Sequence, residues 1–252
     1  MIKKLQLLFL LLMTTCFIAA CSKAPMSADK ISVEKSNSVS AETERANNNI
    51  QTDERLGTKW GNEVSSNITQ VDLDRVSDRP LDQQQIRYAA KQFKGQRVFE
   101  VPMASGDIRF SVRDDENKPL PIYRTGSSYF VQAEEGQRYS LKYKNKTNQL
   151  FEIVASVDGL DVITGAAASA NAEGYVLRPH EELVIEGFRK SESAVAAFIF
   201  SQPEASYANH NSSGSIDNTG VIGTAIYQLE KPKSSKKQYA PEPTPQAFPA
   251  DR

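Results

Sequence analysis

The chain has 252 residues and a formal net charge of −1, with 30 Lys and Arg against 31 Asp and Glu. A nucleic-acid partner, which would want a strongly basic face, is not expected from that balance. Its two cysteines, Cys16 and Cys21, sit near the start. Thiol catalysis, cysteine-held metal and disulfides are therefore excluded from everything that follows them.

Residues 1–20 read as a signal peptide. Lys3 and Lys4 precede an apolar run from Leu5 to Ala20, the order of a secretory signal. A spanning helix needs about 20 apolar residues, and this run is shorter. It closes on Ile18-Ala19-Ala20-Cys21, which resembles the lipobox of bacterial lipoproteins. That resemblance implies a diacylglycerol on the Cys21 thiol, cleavage before Cys21 and an acylated new amine. Two or more acyl chains hold a protein stably to a bilayer, where one does not. An ordinary cleaved signal and an uncut signal anchor are the alternatives. Ser22 follows, and by the same resemblance a residue other than Asp there implies the outer membrane of a Gram-negative cell. Loss of Lys3 and Lys4 with the signal would leave a mature net charge of −3.

Residues 21–54 are polar. The stretch "KSNSVSAETERANNNIQ" has only Val39 and Ile50 as branched apolar groups, too few to offset ordering entropy. A flexible tether with an r.m.s. reach of about 30 Å is expected. Leu56 to Val76 carries Trp60, Val64, Ile68, Val71 and Leu73, and is expected to be ordered but irregular, with a strand near Asn67–Leu73. A short helix is then expected over 83–94. Asp82 and Gln85 have capping-box spacing, Ile86, Ala89, Ala90 and Phe93 share one helical face, and Gly95 is placed as a C-cap.

From Arg97 the period becomes two. "RVFEVP", "IRFSVR", "SYFVQ" and "RYSLKYK" read as strands. "FEIVASVDGLDVI" puts Phe151, Ile153, Ala155 and Val157 on one face and turns at Asp158-Gly159, a strong hairpin signal. "YVLRPHEELVIEGF" reads as a second hairpin around Pro179. "VAAFIF", Val195 to Phe200, is apolar on both faces and belongs in mid-sheet. "SYANHNSSGSIDN" is a polar loop, and "TGVIGTAIYQL" is the last strand. Residues 55–230 are thus expected to form one mainly β domain, an antiparallel β-sandwich with a single short helix. Residues 231–252, with five prolines after Lys231 and a basic start at Lys231, Lys233, Lys236 and Lys237, are expected to be a disordered Pro-rich tail.

The strings "RLGTKWG", "VDGLDVITG", "GYVL", "IEGFRKS", "AAFIF" and "GVIGTAIY" together resemble a group of bacterial proteins, many of them lipoproteins, to which no activity is assigned. The resemblance covers most of Arg55 to Tyr227; it implies one unit from Leu56 to Glu230 and no functional residues.

Candidate chemistry is sparse. His180 in "RPHEE" and His210 in a polar loop are the only histidines, and no G-x-S-x-G frames a serine, so a triad is not expected. S-x-x-K occurs at Ser27/Lys30, Ser32/Lys35 and Ser234/Lys237, all in tails that would not hold a nucleophile still. Asp158 and Asp161 flank the "VDGLDV" turn. They could share a Ca²⁺ or act as an acid/base pair, but the favoured reading is a turn residue and a loop cap. Asp114, Asp115 and Glu116 in "RDDENK" read as a solvated hairpin end. Trp60, Tyr123, Tyr129, Tyr139 and Tyr143 could form an aromatic platform, although strand aromatics more often pack in a core. The resulting expectation is a lipid-anchored, non-enzymatic envelope protein. It needs no cofactor, touches the membrane through its lipid, and binds another envelope protein or cell-wall glycan. An envelope hydrolase using Asp/Glu and a structural subunit of a surface assembly are the alternatives.

Overall fold

The computed structural model describes residues 54–231. The expected signal peptide, Cys21, the three S-x-x-K pairs, and the expected tether and tail apart from Glu54 and Lys231 lie outside the described residues. The strands in chain order are β1 (Gly57–Ser65), β2 (Asp82–Ala89), β3 (Gln96–Val98), β4 (Val101–Met103), β5 (Ile108–Asp114), β6 (Ile122–Thr125), β7 (Ser128–Gln132) and β8 (Arg138–Asn145). They continue with β9 (Leu150–Val157), β10 (Leu160–Asp161), β11 (Tyr175–Leu177), β12 (Glu182–Ile185), β13 (Gly187–Ser191), β14 (Ala194–Ser201) and β15 (Val221–Leu229). One turn of helix, α1 (Tyr207–His210), interrupts the polar loop before β15.

Two sheets result. The first runs β1-β14-β8-β5-β4, with β12 on β8 and β13 on β14; the second runs β10-β9-β15-β2-β7-β6-β3, with β11 on β9. The expected sandwich is present, with one departure from antiparallel order: β2 and β7 are parallel. Alternation explains the core. On β8, Tyr139, Leu141 and Tyr143 are fully buried while Arg138, Ser140, Lys142 and Lys144 face outward. They meet Phe110, Phe198 and Phe200 of the first sheet and Ile86, Ile122, Ile153 and Ile226 of the second in one continuous cluster. Tyr139 stacks on Phe200 at 4.0 Å between ring centres. Each such buried side chain contributes about 1.5–3 kcal/mol.

Four expectations are corrected. The helix over 83–94 is absent, and β2 occupies most of that span. Tyr88 and Ile86 turn into the core while Arg87 and Gln85 turn out, so the period there is two. Asp82 caps no helix; its Oδ2 accepts from the Ala104 amide. The early strand is β1, not Asn67–Leu73, and it carries a bulge between Trp60 and Glu63. "RVFEVP" is split between β3 and β4, which lie in different sheets. The turn at Pro179 makes no hairpin, because β11 pairs with β9 in one sheet and β12 with β8 in the other. The Asp158-Gly159 hairpin does form. Leu160 pairs with Val157, and φ is +53° and +75° at the two turn residues, the handedness that a tight hairpin needs.

The outer face of the second sheet is partly roofed. Ala170 and Ala172 pack on Val154, Ala225 and Tyr227. Arg75 holds this roof down. Its guanidinium lies 3.7 Å over the Tyr227 ring, bonds both Glu152 oxygens at 2.6 and 3.1 Å, and donates to the carbonyls of Asn171 and Ala172.

Candidate functional site

Two polar arrangements stand out, one inside the sandwich and one on the second sheet. The interior one centres on Asp158. Its Oδ2 accepts from the Thr58 amide at 2.6 Å, and its Oδ1 from the Tyr88 hydroxyl at 2.6 Å and the Gly220 amide at 2.9 Å. Thr58 Oγ1 lies 2.7 Å from both the Tyr88 and Tyr139 hydroxyls. One carboxylate therefore ties the β9–β10 turn to β1, β2 and the start of β15. Burial pushes Asp158 up to about 6, against the lowering effect of its hydrogen bonds from Tyr88, Thr58, Val221 and Gly220. Burial, with Asp158 nearby, also pushes Tyr88 and Tyr139 well above the ordinary phenol range. The group is closed to solvent and reads as a structural pin.

The outer arrangement is a trough. Register sets Gln85 opposite Gly223 and Gly223 opposite Ser156; the next row is Gln83, Ala225 and Val154. Long amides from β2 thus edge a floor of small residues on β15 and β9. The Ala168–Ala170 segment forms the far wall, and Asp217 and Asn218 close one end. Two adjoining hollows of about 440 and 750 Å³ share Gln85, Ser156, Ala168 and Gly223. Gly223 decides the depth, since a Cβ there would lie 2.4 Å from Ser156 Oγ. Gln83, Gln85 and Arg87 are exposed, and their side chains bond nothing among the described residues.

Asp161 lines this trough, but its Oδ1 accepts from the Ile163 and Thr164 amides and the Thr164 hydroxyl. Asp158 and Asp161 thus have separate partners and do not converge. Among the described residues no three His, Cys, Asp or Glu side chains are placed to hold a metal. His180 bonds Asn148 and His210 bonds the Ser206 carbonyl. Asp114 Oδ1 accepts from the Glu116 and Lys118 amides, as a hairpin end would. The aromatics form no platform: Tyr129, Tyr139 and Tyr143 are buried, and Tyr123 packs against the Phe93 cluster. Trp60, 43% exposed, rests on Tyr207. Sequence reading missed the trough residues. The available signals were a glycine inside a strand and the alternation of Gln83, Gln85 and Arg87, which the helical reading of 83–94 concealed.

No family model matches the chain, and no curated protein or solved structure is found to be similar to it. Among the described residues, no helix is long and apolar enough to cross a membrane.

Proposed function

We propose that this is a lipid-anchored, non-enzymatic protein of a bacterial cell envelope, held through Cys21 to the outer membrane of a Gram-negative cell. Its sandwich binds a hydroxyl- and amide-rich partner, cell-wall glycan, along the trough. The anchor rests on the basic start, the short apolar run and Ile18-Ala19-Ala20-Cys21. The binding role rests on one observation: a solvent-open hollow edged by free amides and a guanidinium over a floor without bulky groups. Such a floor lets a flat polar ligand approach the sheet, and the amides offer donors and acceptors side by side. The hydrolase alternative depends on paired carboxylates, and Asp158 and Asp161 are engaged separately.

The anchor is tested with Cys21→Ser. The parent chain is expected to take up labelled palmitate and sediment with membranes. The variant is expected to lose the label and either enter the soluble fraction or remain uncut. Normal processing and membrane retention of the variant would refute the anchor. The trough is tested separately by cosedimentation with purified sacculi. Gly223→Val fills the floor and is expected to weaken that binding about tenfold, the loss of roughly 1.4 kcal/mol. Unchanged retention of a folded Gly223→Val chain would remove the glycan reading.

A further inference from the structure

The outward face of the first sheet is basic, although the proposed mature chain carries a net charge of −3. On β5, Ile108, Phe110 and Val112 are buried, which turns Arg109, Ser111 and Arg113 outward. On β8 the outward residues are Arg138, Ser140, Lys142 and Lys144. Register sets Arg109 opposite Lys144, Ser111 opposite Lys142 and Arg113 opposite Ser140. Five cations thus share two neighbouring strands. β12 supplies Glu182, whose two oxygens lie 2.7 Å from Lys142 and 3.3 Å from Lys144. Glu186 stands 3.9 Å from Arg138. Arg113 lies across the face, bonded to Ser111 Oγ and the Asn117 carbonyl. Arg109 has no carboxylate partner among the described residues.

Like charges directly opposite each other weaken a sheet, so the Arg109–Lys144 pair is a liability for folding alone. An external anion removes that liability. From this face we infer that the first sheet lies against the anionic phospholipid headgroups of the membrane that holds the acylated Cys21. The inference rests on the lipid-anchor reading. The charge is spread along two whole strands, with Val184 the exposed apolar group among the cations and carboxylates, which suits a headgroup layer better than a site for one small anion. A face with a modest charge excess attracts a negative surface weakly. A lipid anchor makes weak attraction sufficient, because it holds the face at high local concentration beside the bilayer. The trough, on the outward face of the other sheet, would then point away from the membrane and toward the wall.

The test uses the mature chain from residue 21 with Cys21→Ser, so that no acyl chain contributes. It is sedimented with vesicles of phosphatidylglycerol and phosphatidylcholine, and with vesicles of phosphatidylcholine alone. Binding is expected only with phosphatidylglycerol and should weaken as salt is raised. Arg109→Glu combined with Lys144→Glu is expected to weaken it about tenfold or more, given about 1 kcal/mol for each basic residue near such a surface, with circular dichroism unchanged. Lys233→Gln, Lys236→Gln and Lys237→Gln together should leave it within about twofold, since the cations of the face belong to β5 and β8. Equal binding to neutral vesicles, absence of binding, an unaffected folded double variant, loss on changing the three tail lysines, or capture by sacculi without capture by vesicles would each overturn the inference. Because the acyl chain is absent, such a failure leaves palmitate labelling of Cys21 to stand or fall by itself.

Discussion

Gly187→Ala is expected to lower the free energy of unfolding by about 3 kcal/mol or more, read from urea denaturation. Gly187 stands where the chain changes partners. β14 pairs with β8 at Tyr139 and Arg138, and β12 pairs with the next part of β8, from Leu141 to Lys144. After Ile185 the chain leaves β8: the Glu186 carbonyl accepts from the Phe198 amide, and Gly187 pairs with Ala197 on β14. At that fork the backbones are close. A Cβ on Gly187 would lie 1.9 Å from the Ala196 carbonyl oxygen and 2.9 Å from Ala197 Cα. No flexible side-chain tip can yield there. Either β13 separates from β14, or Phe188, buried between Phe198 and Tyr207, is dragged from its site. Gly136→Ala is the comparison. Its added methyl meets nothing, and only a φ of +83° is strained, so a loss of about 1 kcal/mol is expected. Equal losses at the two glycines would mean that the fork is not tight.

That fork also shows what the sequence hid. Two-residue periodicity tells which side chains face inward; it does not tell which sheet a strand joins. β11 and β12 read as a hairpin because both alternate and Pro179 lies between them, yet they belong to opposite layers. "RVFEVP" looked continuous for the same reason, while β3 and β4 part between Val98 and Val101. Where a run is apolar on both faces, as in β14, its central place was legible. The Asp-Gly turn was legible because its φ values follow from local chemistry.

The helix error at 83–94 has a different cause. Gln83, Gln84, Gln85 and Lys91 are good helix formers, and Ile86, Ala89, Ala90 and Phe93 suit a helical stripe. A place between β15 and β7 outweighs those weak preferences, because Ile86 and Tyr88 both become core residues. The error carried forward: with 83–94 wound as a helix, Gln83, Gln85 and Arg87 form no row, so the trough had no edge. Its floor was equally hidden, since Gly223 and Ser156 are separated by 67 positions and meet only through the β15–β9 register. The basic face depends on register too, because nothing local sets Arg109 opposite Lys144.

Asp158→Asn is expected to destabilise the fold by about 3 kcal/mol at pH 4, and by less at pH 7. Asparagine tolerates the left-handed backbone at this turn, so the variant isolates the side-chain bonds. Asp158 presents one oxygen to the Thr58 amide and the other to the Tyr88 hydroxyl and the Gly220 amide. An amide group places its NH₂ against a buried backbone N–H whichever way it turns, and each orphaned buried donor costs about 1–3 kcal/mol. A neutral carboxyl avoids this. When protonated it can donate to Tyr88, whose hydroxyl can turn to Thr58 Oγ1, while both oxygens continue to accept from backbone amides. The direction with pH follows from the folded value of about 6 against an ordinary 3.8. The folded chain holds this proton more tightly than the unfolded chain. Asp158's contribution to stability is therefore full below about pH 4, falls as pH rises toward 6, and then levels after a total loss of about 3 kcal/mol. The Asn variant lacks that slope. Subtracting its unfolding free energy from the parent's at each pH cancels the other titrating groups and leaves the Asp158 curve. A difference that stayed constant from pH 4 to 7, or grew with pH, would mean that the carboxylate is not held in the interior against its charge.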